Sequence, residues 1–341
     1  MTLRFIDGFD HFTTIAQLLY KYNEIAASSY VSLDTGRRSG SNALRLYTAS
    51  GYTTKTLDEQ PTWIVGAAVK IAAIPSSNGA IFQFRDNLGN TQCSLCVTTT
   101  GALALMRGTT SGTVLATSAN AIIGNSWNFI EAKLTIADSG GVFEVRVNGE
   151  VWATYTGDTK YSATLATANS IRLSGFPSTI QVWYDDLYIC DATGAVNNSY
   201  LGDVRVDTIF PSGVGASAQF TPTGSANNWE NADDASPDED TSYNASETAG
   251  HIDSFTFADL TTLNATIMGV QANILARKDD AGTRLLRAVT RVGSTNYEGA
   301  DLTMTDSYID HRTIWNQNPA TAAAWTEAEI NAAEFGYKVQ A

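Results

Sequence analysis

A chain of 341 residues, 43% of them hydrophobic, is long enough for two domains of ordinary size, each with its own core. Its formal net charge of -14 makes nucleic acid and anionic membrane surfaces poor partners. Residues 1–197 carry 15 acidic against 13 basic side chains, whereas residues 198–341 carry 20 against 8. We expect no leader peptide and no apolar run that could cross a bilayer, so no membrane insertion is predicted.

The first 107 residues are predicted to form short strands and one short helix. Residues 1–12 indicate a strand and a turn, and the helical spacing of apolar residues in TTIAQLLYKY indicates a helix of two or three turns at most. WIVGAAVKIAAI has the two-sided apolar character of a buried strand, and the segments that follow it continue as a meander of hairpins. The pattern is typical of a β-rich domain.

One hairpin is predicted with particular clarity. Phe143, Val145 and Val147 alternate with polar residues, which places them on one face of a strand. Asn148-Gly149 follows, and this pair suits a two-residue type I′ turn because both positions need positive φ.

The stretch from Tyr184 to Gly215 marks the predicted domain boundary, after residue 197. One alternating segment ends at Cys190, and a second begins at Val204 with no long flexible spacer between them. Because a short linker limits how far two domains can separate, we expect a packed interdomain joint. Its predicted residues are Tyr188, Tyr200 and Phe210.

Residues 198–341 predict further strands and one more short helix. Thr326 with Glu329 three residues later forms a capping-box pattern before that helix. The sequence therefore predicts an all-β protein with two β-sandwich, jelly-roll-like domains, 1–197 and 198–341, and one or two short helices. The second domain is the smaller and more acidic, and we expect it to serve assembly or attachment.

Two resemblances add to this interpretation. WNFIEAKLTIADSGGVFEVRVNGE resembles the laminin G or concanavalin A-like jelly roll, which commonly has a Trp-led strand, a Gly-containing turn and an Asn-Gly hairpin. The whole chain resembles a family of virion structural proteins of tailed bacteriophages. The segments that carry the second resemblance are, in order, FIDGFDHF, GRRSG, YDDLYICDATG, LGDVRVDTIFPSGVG, NNWENADDASPDEDTSY and WTEAEINAAEFGYKV.

The phage resemblance implies a non-enzymatic virion component on the tail or the capsid. Its implied partners are other virion proteins, with a homo-oligomer in the particle and synthesis in the host cytoplasm. Two alternatives stay open, a capsid decoration protein and a carbohydrate-binding module for a host-surface glycan. A glycan-degrading enzyme is a further hypothesis, which needs Glu131 and Glu144 to share a cleft as paired carboxylates.

Candidate metal sites have simpler interpretations. Asp185, Asp186 and Asp191 could supply oxygens to Ca²⁺, but solvation at a strand end and turn capping explain them more simply. A second candidate cation site, for which Ca²⁺ is again the suitable ion, lies in an acidic run whose spacing does not fit an EF-hand. Its residues are Asp233, Asp234, Asp238 and Asp240.

Cysteines and tryptophans complete the candidates. Cys93 and Cys96 have the spacing of a zinc half-site, but residues three apart in a strand face opposite ways, so two buried thiols are predicted. With Cys190 they cannot form a framework of disulfides. Trp229 and Trp315 are predicted to be exposed and to contact a partner or a glycan.

Overall fold

The computed structural model describes residues 2–161, 165–262 and 264–341. The chain forms two compact units, residues 1–206 and 207–341. Both are built from antiparallel strands, which confirms the predicted all-β sandwich class with two short helices. Within the described residues, no helix is both long and apolar enough to cross a membrane.

The described residues of the first unit form fifteen strands, one helix and a 3-10 turn at Ser28–Tyr30. In chain order its helix and strands are β1 (Leu3–Asp7), α1 (Leu18–Lys21), β2 (Glu24–Ile25), β3 (Val31–Thr35), β4 (Asn42–Tyr47), β5 (Tyr52–Gln60), β6 (Thr62–Ile71), β7 (Gly79–Arg85), β8 (Thr91–Val97), β9 (Ala102–Arg107), β10 (Thr113–Ala121), β11 (Trp127–Thr135), β12 (Gly141–Val147), β13 (Glu150–Gly157), β14 (Ala168–Ser174) and β15 (Gln181–Asp191).

These strands form two sheets. The eight-stranded sheet has the order β13-β12-β11-β6-β15-β4-β3, with β1 also paired to β15. The seven-stranded sheet has the order β10-β9-β8-β7-β14-β5-β2. One hydrophobic core takes side chains from both sheets, including Trp63 and Tyr184 from the first and Phe82, Phe84 and Leu95 from the second. Alternate residues of each strand therefore line the core, and the others lie on an outer face.

The clearest sequence prediction is confirmed. Strands β11 and β12 pair in register, and β12 continues into β13 through Asn148 and Gly149, whose φ values are 51° and 88°. Phe143 and Val145 are buried in the core. The predicted first helix is real but has only four residues.

The boundary between the units falls after residue 206 rather than after residue 197. Residues 200–206, which we call the strap, belong to the first unit because they bind its eight-stranded sheet. The backbone N–H of Gly202 donates to the Glu131 carboxylate at 2.8 Å, and that of Val206 donates to Asp186 at 2.8 Å. Arg37 donates to the Val204 carbonyl at 2.6 Å. Local composition could not reveal these contacts, because their partners lie far away in sequence.

In the second unit, residues 207–262 and 264–341 form ten strands, one helix and a 3-10 turn at Asn228–Asn231. In chain order its strands and helix are β16 (Pro211–Ala218), β17 (Thr221–Thr223), β18 (Tyr243–Ala245), β19 (Ile252–Phe257), β20 (Val270–Ala276), β21 (Leu285–Val292), β22 (Thr295–Glu298), β23 (Leu302–Thr303), β24 (Ile309–Trp315), α2 (Glu327–Ala332) and β25 (Glu334–Val339). The predicted capping box is present, with Thr326 and Glu329 bonded reciprocally at the start of α2.

The strands of the second unit form a six-stranded sheet and two strand pairs. The sheet has the order β16-β19-β25-β21-β22, with β23 also paired to β21, and the pairs are β17–β18 and β20–β24. Trp315 is only 8% exposed and packs with Trp325 and Phe335 in the unit's core. The prediction that Trp315 is exposed is therefore wrong, because β25 brings Phe335 to within 5.9 Å of its ring.

Candidate functional site

The outer face of the seven-stranded sheet carries a row of polar side chains. Arg172 pairs in register with Thr54 on one side and with Gln83 on the other, and Gln83 pairs with Ser94. Ile171 and Leu173 belong to the core, so Arg172 between them faces outward, as does Gln83 between Phe82 and Phe84. We call the cluster around this row the arginine face. It consists of Glu24, Tyr52, Thr54, Gln83, Arg85 and Arg172.

Arg172 is the centre of the arginine face. Its Nε donates to Thr54 Oγ1 at 3.1 Å, and its Nη2 donates to Glu24 Oε2 at 2.7 Å. Its guanidinium carbon lies 3.9 Å from the centre of the Tyr52 ring, which is a close cation–π distance. These three contacts fix the plane of the guanidinium, whose side chain keeps 19% of its surface exposed.

Arg85 is the second cation of the face and uses the same carboxylate. Its Nη1 lies 3.5 Å from Glu24 Oε2, while its Nη2 donates to the Gly89 carbonyl at 3.0 Å. The turn that carries Gly89 is held by Asp86, which accepts from the backbone N–H of Asn90 at 2.8 Å. Two guanidinium groups thus share one carboxylate, which leaves a net positive charge.

The electrostatics of the face reflect this imbalance. Burial and then the nearby charge of Arg85 lower the pKa of Arg172. Burial is the largest single influence on Glu24 and opposes its ionisation, but the hydrogen bonds from Arg172 and Thr54 and the charges of Arg172 and Arg85 together outweigh it, so the pKa of Glu24 is lowered. A second carboxylate, brought by a ligand, would relieve the repulsion between the two guanidinium groups.

The paired carboxylates predicted as a glycosidase site are not arranged as one. Glu131 is 1% exposed, and it accepts hydrogen bonds from the Tyr188 hydroxyl and from the Gly202 N–H. Glu144 forms an ion pair with Arg146 at 2.8 Å. The strap covers Glu131, so the two carboxylates do not share an open cleft.

Asp185 and Asp186 are buried rather than solvated, which corrects the strand-end interpretation. A bulge in β15 interrupts the register here, and Asp186 has φ of 50°. Asp185 accepts from the backbone N–H of Arg37 at 2.8 Å, and Asp186 pairs with the side chains of Arg37 and Arg38. Burial and the neighbouring Asp186 raise the pKa of Asp185 to about 6.

Asp191, also proposed as a Ca²⁺ ligand, instead pairs with Arg4. Across the residues that the structure describes, no three His, Cys, Asp or Glu side chains are arranged to hold a metal ion. The two candidate cation sites therefore have no metal-binding geometry in the described chain.

The acidic run of the second unit is engaged in surface contacts. Asp240 accepts from Arg277 at 2.8 Å and from the Tyr308 hydroxyl at 2.8 Å. Asp234 and Asp238 both accept from the Ser242 hydroxyl, at 3.4 and 3.0 Å, and Asp233 is half-buried. A role for this run in binding a partner stays a prediction.

The remaining predicted residues fall in different places. Trp229 is half-buried in the 3-10 turn Asn228–Asn231, and its contact with a glycan or partner stays a prediction. Tyr188 and Tyr200 both lie in the first unit, where the Tyr188 hydroxyl accepts from the Leu201 N–H and the Arg146 guanidinium lies over the Tyr200 ring. Phe210 belongs to the second unit, and the interdomain joint stays a prediction.

The thiols agree with the sequence prediction. All three cysteines are free and buried. Cys93 belongs to the main core, whereas Cys96 packs in a separate cluster with Ala80, Ala104 and Met106 on the outer side of the same sheet. The two thiols thus face opposite ways.

Sequence reasoning missed the arginine face. The alternation in IFQFR and NSIRLS does place Gln83, Arg85 and Arg172 opposite the core residues of their strands. That signal predicts only that each side chain faces outward. The pairing of β14 between β5 and β7 is what brings the three together.

Comparisons with known proteins give fold-level similarity alone. No protein-family model and no curated protein matches the chain. Among solved structures, alginate lyase Aly36B is similar at 13% identity and a TM-score of 0.37, over 49% of this chain and 85% of that one. A sialidase is similar at 14% identity and a TM-score of 0.41, over 55% of this chain but only 18% of the sialidase. A Trypanosoma rangeli sialidase is similar at 13% identity and a TM-score of 0.36, over 46% of this chain and 26% of the sialidase.

These neighbours correct the predicted function. With alginate lyases and sialidases as its structural neighbours, the expectation of a non-enzymatic phage structural component is contradicted and is set aside. Membership of the phage family, a place in the virion and a homo-oligomeric state stay predictions.

Proposed function

We propose that the first unit is an acidic-glycan enzyme that binds sugar carboxylates on the arginine face and cleaves the chain by elimination. The observation that carries this proposal is the pair of guanidinium groups, Arg85 and Arg172, that share the single carboxylate of Glu24. A planar guanidinium suits a carboxylate because it can donate two parallel hydrogen bonds.

The neighbouring residues suit a sugar ligand. Gln83 is half-buried, lies next to Arg172 in the row, and forms no side-chain hydrogen bond with another described residue. Its amide can donate to a sugar hydroxyl or carboxylate and accept from a second hydroxyl. Tyr52 offers a ring face and a hydroxyl beside the same guanidinium. A few placed polar groups of this kind are what fixes a ligand's orientation.

The charges on the face favour elimination over hydrolysis. Hydrolysis of a glycosidic bond commonly needs two carboxylates about 5 to 9.5 Å apart. The arginine face has one, Glu24, and it is bonded to Arg172. A guanidinium that neutralises a sugar carboxylate instead stabilises negative charge that develops on the adjacent carbon when its proton is removed.

Elimination also needs a base for that proton. Tyr52 is the hydroxyl-bearing aromatic residue next to Arg172, and tyrosine can act as a general base. In the proposed step the Tyr52 oxygen takes the proton from the carbon while the Tyr52 hydroxyl gives its own proton to the leaving sugar oxygen. A carbon–carbon double bond forms, and the bond to the leaving oxygen breaks. Tyr52 ends the step as a hydroxyl again, and no water is consumed.

The test uses the full chain with an alginate tetrasaccharide, a carboxylate-bearing probe. We expect Arg172→Ala to weaken binding at least tenfold in calorimetry. Arg172→Lys should retain part of the affinity, because lysine keeps the positive charge but cannot donate two parallel hydrogen bonds to a carboxylate. Tyr52→Phe should retain binding and abolish the ultraviolet absorbance of the unsaturated product.

Arg107→Ala is the matched control. Arg107 lies on the same sheet, outside the arginine face, in an ion pair with Asp158. Equal binding by wild type, Arg172→Ala and Arg107→Ala would overturn the proposed site. Binding that depends on Arg172 without any unsaturated product would overturn the elimination step alone.

A further inference from the structure

The outer face of the eight-stranded sheet carries a second row, in which cations and aromatic rings alternate. Arg45 pairs in register with Trp183, Trp183 pairs with Lys70, and Lys70 pairs with Trp127. The order across strands β4, β15, β6 and β11 is therefore cation, indole, cation, indole. We call these four residues the cation–indole row.

Contacts within the row hold its side chains in place. Lys70 Nζ lies 4.3 Å from the centre of the Trp183 ring and 5.0 Å from that of Trp127. Asp34, at the edge of the row, accepts from Trp183 Nε1 at 2.9 Å and from Arg45 Nη1 at 2.8 Å. The indole of Trp183 and the guanidinium of Arg45 are thus oriented by one carboxylate.

The charges of the row are not balanced. Arg45 and Lys70 are both cations, and Asp34 pairs with the first. Lys70 forms no ion pair with any residue that the structure describes, and it is half-buried between two indoles. A desolvated ammonium gains more from an anion than a fully solvated one does. The row therefore has two cations and a single carboxylate, Asp34, which acts on both of them, so an excess positive charge remains.

The spacing of the row suits an extended polymer. Neighbouring strands lie about 4.8 Å apart, so Arg45 and Lys70, two strands apart, are separated along the row by roughly 10 Å. That is close to the length of two sugar units, so carboxylates on alternate units would meet the two cations. A sugar ring would then lie over the half-buried Trp127, where C–H groups meet an aromatic face. Trp183 is only 8% exposed, so its role in the row is to hold Arg45 and Lys70 in place.

We infer that the cation–indole row is a second binding surface, which takes an extended acidic polysaccharide lying across the strands. It lies on the opposite sheet from the arginine face, so it cannot be a subsite of that face. The inference rests on the geometry of the row and shares only the ligand class with the proposed function. Its effect would be to keep a long acidic chain bound while another stretch of chain occupies the arginine face.

The test uses the full chain carrying Arg172→Ala, so that the arginine face is disabled, with an alginate hexasaccharide as the probe. We expect Lys70→Gln and Trp127→Ala each to weaken the remaining binding about tenfold. Binding to the parent should change the intrinsic tryptophan emission, because two indoles line the row and none belongs to the arginine face.

Lys133→Gln is the control, since Lys133 lies on the outer face of the same sheet but outside the row. Circular dichroism and melting would confirm that each variant folds, and Trp127→Leu replaces Trp127→Ala if that variant does not. Binding unchanged in both Lys70→Gln and the Trp127 variant without an aromatic ring would overturn the inference. Loss of activity in Arg172→Ala with Lys70-dependent binding retained would support both proposals separately.

Discussion

The ring of Tyr188 occupies the space that a side chain at position 66 would fill. Tyr188, Gly66 and Glu131 follow one another in register across β15, β6 and β11. A Cβ added to Gly66 would stand 2.1 Å from Tyr188 Cε1, which no packed structure tolerates. Tyr188 therefore crosses over Gly66 and donates its hydroxyl hydrogen to Glu131 on the second strand along. Glycine at position 66 permits the contact on which the strap is built.

Gly66→Ala should loosen the strap. The methyl group would push the Tyr188 ring away, and overpacking of a buried site costs about 1–3 kcal/mol. We expect a lower urea midpoint and faster amide hydrogen exchange at Leu201 and Gly202, which donate to Tyr188 and Glu131. Ala68→Gly, on the same strand, is the control. Unchanged exchange at both amides in Gly66→Ala would contradict this account.

Glu131 is predicted to act in stability and not in catalysis. Glu131→Ala leaves the Tyr188 hydroxyl and the Gly202 N–H without their acceptor, and each such loss costs about 1–3 kcal/mol. Glu131→Gln keeps an acceptor oxygen and should cost less. Denaturant unfolding measures both variants. A Glu131→Gln enzyme that folds normally but cleaves glycan more slowly would restore the paired-carboxylate hypothesis.

The sequence predicts structure that depends on adjacent residues, but it does not predict which distant residues the strand order brings together. The Asn148-Gly149 turn depends on two adjacent residues, and its prediction is confirmed. The arginine face depends on residues 54, 83 and 172, which only the order of strands brings together. The turn-rich sequence beside Trp315 indicates exposure, yet Trp315 is the last residue of β24, and Phe335 covers it from a later strand. In such cases tertiary packing, which the local pattern does not contain, decides burial.

Asp10 is expected to make the protein less stable as the pH rises. Burial raises its pKa from 3.8 to about 6, although it accepts from the Asn42 N–H. Between these two values the folded chain holds a proton that the unfolded chain releases, so stability falls as pH rises through this window. Asp10→Asn should remove a decline in the free energy of unfolding on the order of 1 kcal/mol across this pH window. Urea midpoints at pH 4.5 and 7 measure it.

Asp34→Asn is the matched comparison, because the contribution of Asp34 to stability is expected to increase with pH, whereas that of Asp10 decreases. The hydrogen bond from Trp183 lowers the pKa of Asp34, so its contribution to stability is present at neutral pH and lost as the pH falls below about 4. Asp34→Asn should therefore be more destabilising at pH 7 than in acid. The same pH dependence in both variants would show that these carboxylates do not act through the contacts described.

The three cysteines should be unreactive in the folded protein. Burial raises the pKa of Cys96 to about 12 and raises the pKa values of Cys93 and Cys190 as well, so almost no thiolate forms at neutral pH. A colourimetric thiol reagent should label none of them in native buffer and all three after unfolding in urea. Rapid labelling of one native thiol would show that its strand opens locally.

Limited proteolysis is expected to cut the chain before the strap without releasing the two fragments from each other. Residues 192–195 and 198–199 are exposed, so a protease is expected to cut there. The strap begins at residue 200, and its contacts with Arg37, Glu131 and Asp186 remain intact after such a cut. We therefore expect the two fragments to elute together in size-exclusion chromatography under native conditions.

Arg37→Ala tests whether the strap is what holds the fragments. Arg37 donates to Asp203 at 2.7 Å and to the Val204 carbonyl at 2.6 Å, so its loss removes the guanidinium contacts along the strap. The nicked Arg37→Ala protein should dissociate at a concentration where nicked wild type does not. Fragments of nicked wild type that separate at once would mean that residues 200–206 are a plain linker. Equal dissociation in both proteins would mean that Arg37 does not anchor it.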